Sequence, residues 1–277
     1  MKKAMEQMPV VSVVIPYFNR EKAIFAALQS VANQSFNSWE CLVVDDGSTN
    51  ESLQQLNEIL KEISNPAIQL LHRPLIREKG ANACRNVGVE SANGKYIAFL
   101  DSDDRWPEDY LLSALNFAQT QKSFFGCYSG AIIQRAGQTF TQQSRAIKPN
   151  EGLFDFILAP DVVAQTSSYF VLRECALNVK FDEKLKRHQD YDYFIRFGKQ
   201  YSWLFNPISK TYIDWSTISS RKTDFFSCIQ VYNRHKSEFK NNTQQEGYLI
   251  SILGLALREN AAREYIRFYQ RELRSIG

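Results

Sequence analysis

The feature that most constrains the fold is a fourfold alternation of strand and helix patterns in the first half of the chain. Short, largely apolar runs typical of buried parallel strands lie at residues 10–15, 41–44, 68–71 and 96–100. Helical periodicity follows each run, at residues 24–31, 53–63, 81–90 and 107–118. Pro107 is predicted to lie in the first turn of the last helix, where proline is tolerated. This order predicts an α/β fold with a mostly parallel central sheet and helices on both faces.

The second half of the chain follows a different pattern. Short strand-like runs at residues 124–128, 131–134, 169–172 and 203–205 are separated by loops, and residues 190–197 form an amphipathic helical segment. From about residue 222 the pattern is helical to the end, with breaks near residue 241 and residues 259–260. We therefore predict one domain over residues 1–220 and a helical C-terminal region over residues 221–277 that packs on it.

Composition excludes several classes of protein. A formal net charge of +3 without a concentrated basic patch argues against a nucleic-acid partner. The five cysteines are widely spaced and form no C-x-x-C pair, so neither a zinc site nor a disulfide framework is expected. Reduced, mostly buried thiols, and the lack of an apolar run long enough for a signal peptide or membrane span, predict a cytoplasmic protein.

Three carboxylates lie within four residues directly after the fourth predicted strand, in Asp101-Ser102-Asp103-Asp104. Clustered carboxylates repel one another and persist most readily beside a cation, and their hard oxygen atoms suit Mg²⁺ or Mn²⁺. A cation held there can bridge a diphosphate. The alternative is a helix N-cap formed by Asp103 or Asp104. The strand that leads into the cluster favours the metal.

A second acidic segment, Asp45-Asp46-Gly47-Ser48, follows the second predicted strand. The ordinary interpretation is a turn followed by a helix cap, since all three residue types favour turns. The functional interpretation is that one carboxylate accepts a hydrogen bond from a nucleobase. No G-x-G-x-x-G or G-x-x-x-x-G-K-[ST] motif occurs anywhere, so a nucleotide would be held by carboxylates and metal rather than by a glycine cradle.

Two further segments carry polar side chains suited to a cleft. At residues 77–86, Gly80 permits close backbone approach and Arg85 offers donors to phosphates or a sugar, although a polar helix start is equally consistent. Asp190 opens the amphipathic helix and is either its N-cap or a general base that deprotonates an acceptor hydroxyl. For His188 a surface position is favoured over a role in supporting Asp190.

Together these segments resemble the family-two glycosyltransferases, which have the GT-A fold. The resemblance rests on four blocks in the family's order and spacing over about residues 10–200: VSVVIPYFNR, LVVDDGSTN, GANACRNVGVESANGKYIAFLDSDDRW and RHQDYDYFIRF. The last block is similar to those of bacterial enzymes that build surface polysaccharide. The resemblance implies a Rossmann-like GT-A domain with a nucleotide-sugar-binding half over about residues 10–105 and an acceptor half over about residues 106–220.

The resemblance also implies a role for each matching residue. Seven residues are implied to bind the donor: Pro16, Tyr17, Asn19, Asp46, Arg85, Asp101 and Asp103. Among these, Asp46 contacts the base, Asp101 faces the ribose or sugar, and Asp103 is the metal ligand. Asp190 matches the catalytic base, and Asp192 supports it. Many relatives have a Y-R-x-H stretch further on, where this chain has Tyr212-Ile213-Asp214-Trp215, so a third protein ligand to the metal is left open, with Asp214 as a substitute.

The activity implied is transfer of a sugar from a nucleotide-sugar, expected to be a UDP-sugar, to a hydroxyl of a saccharide or lipid-linked saccharide. Inversion at the anomeric carbon and dependence on Mn²⁺ or Mg²⁺ are part of that expectation, as is a role in bacterial cell-surface polysaccharide or glycolipid synthesis. Two alternatives are a nucleotidyltransferase acting on sugar phosphates and a non-catalytic nucleotide-sugar-binding relative. The sequence leaves open whether the protein forms a homodimer.

A basic stripe marks the C-terminal tail, where arginines recur at Arg263, Arg267, Arg271 and Arg274. An apolar stripe lies beside it at Ile266, Tyr269 and Leu273. A basic amphipathic helix of this kind can lie on an anionic membrane surface, which predicts peripheral membrane contact. The alternative, which the pattern favours, is that the apolar stripe packs on the protein and the arginines are solvated.

Overall fold

The computed structural model describes residues 8–135, 137–215 and 222–276. In the first half it confirms the predicted alternation of strands and helices. The elements are β1 (Val11–Tyr17), α1 (Glu21–Ala32), β2 (Trp39–Asp45), α2 (Asn50–Ile63), β3 (Ile68–His72), α3 (Ala81–Ser91), β4 (Tyr96–Phe99) and α4 (Tyr110–Thr120). The predicted position of Pro107 is wrong, because α4 begins only at Tyr110 and Asp109 occupies its N-cap position.

The sheet runs in the order β3-β2-β1-β4 with all four strands parallel. Every residue of β1 and β2 is buried, as expected for parallel strands covered by helices on both faces. Helix α3 approaches β1 closely at Gly88, where an added Cβ would lie 2.3 Å from Val14 Cγ1. Because parallel strands end at one edge, the segments after β1, β2 and β4 meet there.

The second half extends this sheet with a mixed region. Its elements are β5 (Gly126–Arg135), β6 (Gln138–Gln142), α5 (Leu153–Ile157), β7 (Phe170–Leu172), α6 (Arg173–Val179), α7 (Gln189–Gln200) and β8 (Trp203–Asp214). Strand β7 joins β4 to β5 by antiparallel pairing on both sides, and β6 and β8 pair with β5. The result is the α/β architecture predicted from the sequence.

Strands β5 and β8 are both longer than predicted. The predicted runs at 124–128 and 131–134 are one strand, β5, and the run at 203–205 is only the start of β8. A register shift between Ser129 and Gly130 leaves the Pro207 region of β8 outside the ladder. Proline lacks the amide hydrogen that strand pairing needs, so it is tolerated at such an irregularity. The same proline breaks the strand pattern in the sequence, which is why the prediction ended the strand too early.

Three helices form the C-terminal region, with breaks where they were predicted: α8 (Phe225–His235), α9 (Asn242–Arg258) and α10 (Arg263–Ile276). They share a hydrophobic cluster with α5 and α7, in which Phe154 stacks on Phe239 with ring centroids 4.3 Å apart. Tyr269 of α10 is fully buried there, and the four arginines of the stripe are exposed. The apolar stripe therefore packs on the protein.

Two expectations from composition can be compared with the structure. All five cysteines are free and buried, which confirms the predicted thiols. Desolvation raises the pKa of Cys175 to about 11 and that of Cys84 to about 12, so both are neutral near pH 7. Within the described residues, no helix combines the length and apolar character needed to cross a membrane.

Candidate active site

A cavity of about 270 Å³ lies at the carboxyl ends of β1, β2 and β4, beside the N-terminus of α3. Six of the predicted donor-binding residues line it: Pro16, Tyr17, Asp46, Arg85, Asp101 and Asp103. The other lining residues are Phe18, Arg20, Gly80, Ala81, Ser102 and Gln189. A larger cavity of about 870 Å³ lies at the opposite edge, near Gly94 and Lys95 before β4, and contains none of the predicted site residues. The chemistry-bearing side chains therefore converge on the smaller cavity.

The two carboxylates after β2 have separate tasks. Asp45 forms the turn, because its carboxylate accepts hydrogen bonds from the amides of Gly47 (3.0 Å) and Ser48 (3.1 Å). Thr49 then caps α2 by accepting from the amide of Ser52. The turn-and-cap interpretation thus applies to Asp45 and Thr49. Asp46 is left to face the cavity.

Asp46 is held in a fixed orientation from two directions. Its Oδ1 accepts a hydrogen bond of 2.6 Å from Arg73 Nε and one of 2.9 Å from the amide of Gly80. Arg73 follows β3 and is buried, and its Nη1 also donates to the carbonyl oxygen of Arg77 (2.7 Å). Arg73 is not among the predicted site residues, although it lies at the same sheet edge as the acidic segments, which is the signal that would have found it.

Arg85 and Asp101 form a pair at the floor of the cavity. Arg85 Nη2 donates to Asp101 Oδ1 over 2.5 Å, and the Arg85 side chain is almost fully buried against the ring of Phe181. The Asp101 amide donates to Ser167 Oγ over 3.0 Å, which fixes the end of β4. A guanidinium fixed in this way does not have to be ordered when a ligand arrives, although the Asp101 carboxylate offsets its charge.

Asp103 lies at the mouth of the cavity, where Arg20 forms an ion pair with its carboxylate. Its side chain is 30% exposed, and it also lines a neighbouring cavity of about 330 Å³. Among the described residues, no group of three or more His, Cys, Asp or Glu is gathered as a metal site. The donor set nevertheless fits Mn²⁺ or Mg²⁺, since such ions take few protein carboxylates and complete their shell with phosphate oxygens and water.

The third carboxylate of the acidic segment, Asp104, is buried and anchors the segment. It accepts hydrogen bonds from Ser167 Oγ (2.5 Å) and the amide of Asp214 (3.3 Å). Burial, with the nearby charge of Asp101, raises the pKa of Asp104 to about 7. Neither Asp103 nor Asp104 caps a helix, so the N-cap alternative for this segment is wrong.

Several predicted residues do not line this cavity: Asn19, Asp214, Trp215, Asp190 and Asp192. Asn19, with a φ of 47°, accepts a hydrogen bond from the amide of Thr49 (2.9 Å) and so joins the β1 and β2 loops. Asp214 lines the neighbouring cavity, and Trp215 is exposed. Asn19 therefore holds together two loops beside the cavity without lining it. Asp214 and Asp103 both line the neighbouring cavity.

Asp190 lies in the first turn of α7, directly after Gln189, which lines the cavity. It is half-buried, and burial raises the pKa of its carboxyl, although the positive charges of Arg85 and Arg187 act in the opposite direction. His188 rather than Asp190 occupies the N-cap position of α7, but the Asp190 carboxyl accepts hydrogen bonds from the backbone amides of Tyr191 and Asp190, as a capping side chain does, and these bonds also lower its pKa. A carboxylate with a raised pKa beside this cavity is suited to accept a proton.

His188, at the N-cap position of α7, is buried rather than at the surface, so the favoured prediction for it is wrong. Its ring stacks on that of Tyr191 with centroids 4.7 Å apart, and its Nδ1 shares a hydrogen bond of 3.2 Å with the hydroxyl of Tyr248. Burial lowers the pKa of His188 to about 3, so the imidazole is neutral at physiological pH. His188 therefore fixes the start of α7 against α9.

Asp192 is fully buried and faces the C-terminal helices. Its carboxylate contacts His235 Nε2 (2.8 Å), Arg234 Nη1 (2.7 Å) and the guanidinium of Arg196 (2.8 Å). Burial alone would raise the pKa of Asp192, but the His235 hydrogen bond and the two arginine charges outweigh it and hold the pKa at about 2. We call these four residues the Asp192 cluster. It joins the helix that carries Asp190 to α8.

Replacing His235 by alanine is expected to lower the free energy of unfolding by about 1.5–3 kcal/mol, the usual contribution of a buried hydrogen bond to a charged group. Because the pKa of Asp192 is depressed, the cluster stabilises the fold fully above about pH 4, and this stabilisation is lost as the pH falls toward 2. Urea unfolding at pH 7 measures the effect. Asn233→Ala, an exposed position on the same helix, is the control, and equal losses in the two variants would contradict the assignment.

Comparison with known proteins gives a consistent family. The Glycosyl transferase family 2 profile matches residues 12–179. The amylovoran biosynthesis glycosyltransferase AmsB of Erwinia amylovora is 31% identical over 194 residues, which are 68% of this chain and 64% of that protein, so the chain spans less than two thirds of that relative. An Escherichia coli enzyme, UDP-Glc:alpha-D-GlcNAc-diphosphoundecaprenol beta-1,3-glucosyltransferase WfaP, is 33% identical over 128 residues, 46% of this chain and 48% of that protein.

Solved structures show the same fold at low sequence identity. The Staphylococcus aureus TarS fragment 1–349 in complex with UDP-GlcNAc superposes with a TM-score of 0.66 at 18% identity, over 85% of this chain and 69% of that one. The mannosyltransferase PcManGT from Pyrobaculum calidifontis, in complex with GDP-Man and Mn²⁺, gives a TM-score of 0.60 at 15% identity, over 98% and 77%. The fold is that of the GT-A glycosyltransferases.

Proposed function

The chain belongs to glycosyl transferase family 2, and from that premise we propose that it transfers a hexose from a UDP-sugar to a hydroxyl of a lipid-linked saccharide. The observation that carries the proposal is the single cavity shared by Asp46, Arg85, Asp101 and Asp103, with the first turn of α7 at its rim. Residues from three strand ends and a distant helix are brought together there. This is the arrangement that a donor, a cation and a base require.

For the donor, we propose that the nucleobase lies against Asp46 and the diphosphate near Arg85 and Arg20. The Asp46 carboxylate is fixed by Arg73, so it can accept a hydrogen bond from an imide without being ordered on binding. The N-terminus of α3, with Gly80 and Ala81 at the cavity wall, adds positive potential where phosphates would lie. The TarS complex with UDP-GlcNAc supports a uridine donor by analogy.

We assign the divalent cation, Mn²⁺ or Mg²⁺, to Asp103, with Asp101 beside it. When bound, the cation would stabilise the negative charge that develops on the departing nucleoside diphosphate. Arg20 already neutralises Asp103 in this structure, so this guanidinium is a second source of positive charge for the diphosphate.

The proposed reaction is a direct displacement with inversion. The acceptor oxygen forms a bond to the anomeric carbon while the bond from that carbon to the diphosphate oxygen breaks, and the electron pair leaves with the nucleoside diphosphate. Asp190 takes the proton of the acceptor hydroxyl. Asp192 orients Asp190 by fixing α7 through the Asp192 cluster.

The proposed acceptor and cellular setting are inferred from the two named relatives. The WfaP name specifies a diphosphoundecaprenol-linked acceptor for that protein, which motivates a lipid-linked acceptor here, and AmsB takes part in amylovoran biosynthesis. We therefore propose a role in bacterial cell-surface polysaccharide or glycolipid synthesis at the cytoplasmic face of the membrane.

The test of the proposed function is a panel of nucleotide-sugars with Mn²⁺, read first by thermal shift and then by turnover. A ligand that binds only the folded protein raises its melting temperature in proportion to affinity. Release of UDP from a UDP-sugar in the presence of a lipid-linked saccharide is the expected result. Binding without release would support the non-catalytic alternative, and pyrophosphate release from a nucleoside triphosphate would support a nucleotidyltransferase.

Asp46→Ala and Asp46→Asn are both expected to weaken UDP binding by roughly 10- to 100-fold, the usual effect of losing a hydrogen bond to a charged group. Isothermal titration calorimetry with Mn²⁺ measures this. The asparagine variant keeps the volume of the side chain beside the buried Arg73, so it separates recognition from folding. Glu51→Ala, an exposed position on α2, is the control. Unchanged affinity in both Asp46 variants would contradict the assignment.

A further inference from the structure

Two large aliphatic side chains protrude from the loop between β3 and α3. Leu75 is 93% exposed and Ile76 is 96% exposed, and the two are adjacent in sequence. Single exposed apolar residues are common on protein surfaces, but a neighbouring pair with almost no protein contact is a feature that marks interaction sites. The loop leads directly into Gly80, which lines the donor cavity.

The base of this loop is firmly held. The Arg77 amide donates to the carbonyl oxygen of Pro74 over 2.9 Å, which closes a turn around the pair. The guanidinium of Arg73 donates to the carbonyl oxygens of Pro74 and Arg77, and Arg77 itself forms ion pairs with Glu90 and Glu183. The aliphatic pair is therefore presented by a fixed turn.

Exposed cations lie on the same loop as the pair and on the loop before α7. Lys79 follows the Leu75–Ile76 pair, and three further cations, Lys184, Lys186 and Arg187, lie on the loop before α7. The two loops are in contact, because Lys186 Nζ donates a hydrogen bond of 2.6 Å to the carbonyl oxygen of Lys79. The acidic residues of that loop are engaged with arginines: Asp182 pairs with Arg234, and Glu183 pairs with Arg77. We call the surface formed by Leu75, Ile76, Lys79, Lys184, Lys186 and Arg187 the rim face. Glu78, an exposed carboxylate in the Leu75–Ile76 loop, lies 3.9 Å from Lys186 Nζ and offsets one of the four cations, so the outward charge of the rim face is positive.

We propose that the rim face docks on an anionic phospholipid bilayer, with Leu75 and Ile76 inserted among the lipids and the four cations at the headgroups. The inference deepens the proposed function and rests on its lipid-linked acceptor. Apolar insertion combined with basic residues is the combination that holds peripheral proteins on anionic membranes. A second copy of the chain is disfavoured as the occupant, because two rim faces would bring like charges together.

Docking at the rim face would bring the mouth of the cavity to the membrane. Asn82 Nδ2 donates to the carbonyl oxygens of Asp182 and Leu185, so the basic loop lies against the start of α3. Three residues after Arg187 comes Asp190, the proposed base. A sugar acceptor attached to a membrane lipid would then reach Asp190 without leaving the headgroup region.

The experiment is co-sedimentation of the full chain with vesicles of phosphatidylglycerol and phosphatidylcholine, and with vesicles of phosphatidylcholine alone. We expect salt-sensitive binding to the anionic vesicles. Leu75→Ser/Ile76→Ser should lower the partition coefficient by at least about 10-fold, since two aliphatic side chains lose their insertion. Lys184→Gln/Lys186→Gln should lower it roughly 10- to 30-fold, which corresponds to about 1 kcal/mol for each basic residue.

Matched controls lie elsewhere on the chain. Ile208→Ser replaces another aliphatic residue that is 69% exposed, and Lys61→Gln/Lys122→Gln removes two exposed charges near the ends of α2 and α4, at the opposite edge of the sheet. These variants should sediment like the wild type. Melting temperatures within a degree or two of the wild type would show that all variants fold.

Several outcomes would overturn the proposal. They are equal sedimentation of wild type and both rim-face variants, equal losses in the controls, or a dimer that Leu75→Ser/Ile76→Ser dissociates in sedimentation velocity. If Leu75→Ser/Ile76→Ser also lost turnover with a water-soluble acceptor, the proposal would be overturned, because Leu75 and Ile76 would then act at the cavity rather than at a membrane. Failure of the proposed function is distinguishable, since the wild type would then release no UDP with any acceptor, whatever the vesicles show.

Discussion

Asp190→Asn is expected to lower turnover by roughly 10²- to 10⁴-fold, the contribution of a general base, while leaving affinity for UDP unchanged. The asparagine keeps the size of the side chain in the first turn of α7 but cannot accept the acceptor's proton. Steady-state UDP release and calorimetric UDP binding, measured on the same preparation, separate the two effects. A matching loss of UDP affinity would mean that Asp190 is structural.

The same substitution should not destabilise the protein. Burial raises the pKa of Asp190 in the folded state, so below its ordinary value near 3.8 the group contributes nothing. As the pH rises above that value, the unfolded chain ionises first, and the carboxylate becomes a net cost to the fold at pH 7. Asp190→Asn should therefore leave the melting temperature equal or raise it, and activity of the wild type should fall on acidification at a pH above 3.8.

Asp103→Asn is expected to reduce metal-dependent turnover on the order of 10³-fold, since the cation proposed to bind there would supply several kcal/mol of transition-state stabilisation. The amide preserves shape but loses the negative charge that binds a divalent ion. The measurement is turnover against Mn²⁺ concentration, together with Mn²⁺ titration of the UDP complex by calorimetry.

Asp109→Asn is the control for Asp103→Asn. Asp109 is an exposed carboxylate just before α4, and its side chain does not cap the helix. The Asp109→Asn variant should bind Mn²⁺ with the same affinity as the wild type. Undiminished activity of the wild type in excess chelator would refute the assignment of a metal to Asp103, and the positive charge at the diphosphate would then have to come from Arg20 and Arg85.

The sheet and the acidic ends of its strands could be predicted because both depend on local patterns. Apolar runs define β1, β2 and β4, and the rule that parallel strands end at one edge brings Asp46, Asp101 and Asp103 together. What each carboxylate contacts depends on residues far away in the sequence. The pairing of Asp46 with Arg73 and of Asp103 with Arg20 joins segments 27 and 83 residues apart.

Burial in the C-terminal half was harder to predict for a related physical reason. His188 looks like a surface residue next to Arg187 and Gln189, but it is covered by Tyr248, which lies 60 residues later. Strand β8 contains Pro207, which breaks the usual strand pattern and is accommodated only because β5 shifts register opposite it. Such features become visible only when the partner segment is known.

The Asp192 cluster also bears on how enzymes of this type can be recombined. The family profile ends at residue 179, before the helix that carries Asp190 and before the segment that supplies Arg234 and His235. A chimaera that exchanged the last 55 residues or so for those of an unrelated tail would leave Asp192 buried with Arg196 alone, at a cost of several kcal/mol. The half of the chain that carries Asp46 and Asp101 is thus a transferable part, whereas α7 and α8 have to be exchanged together.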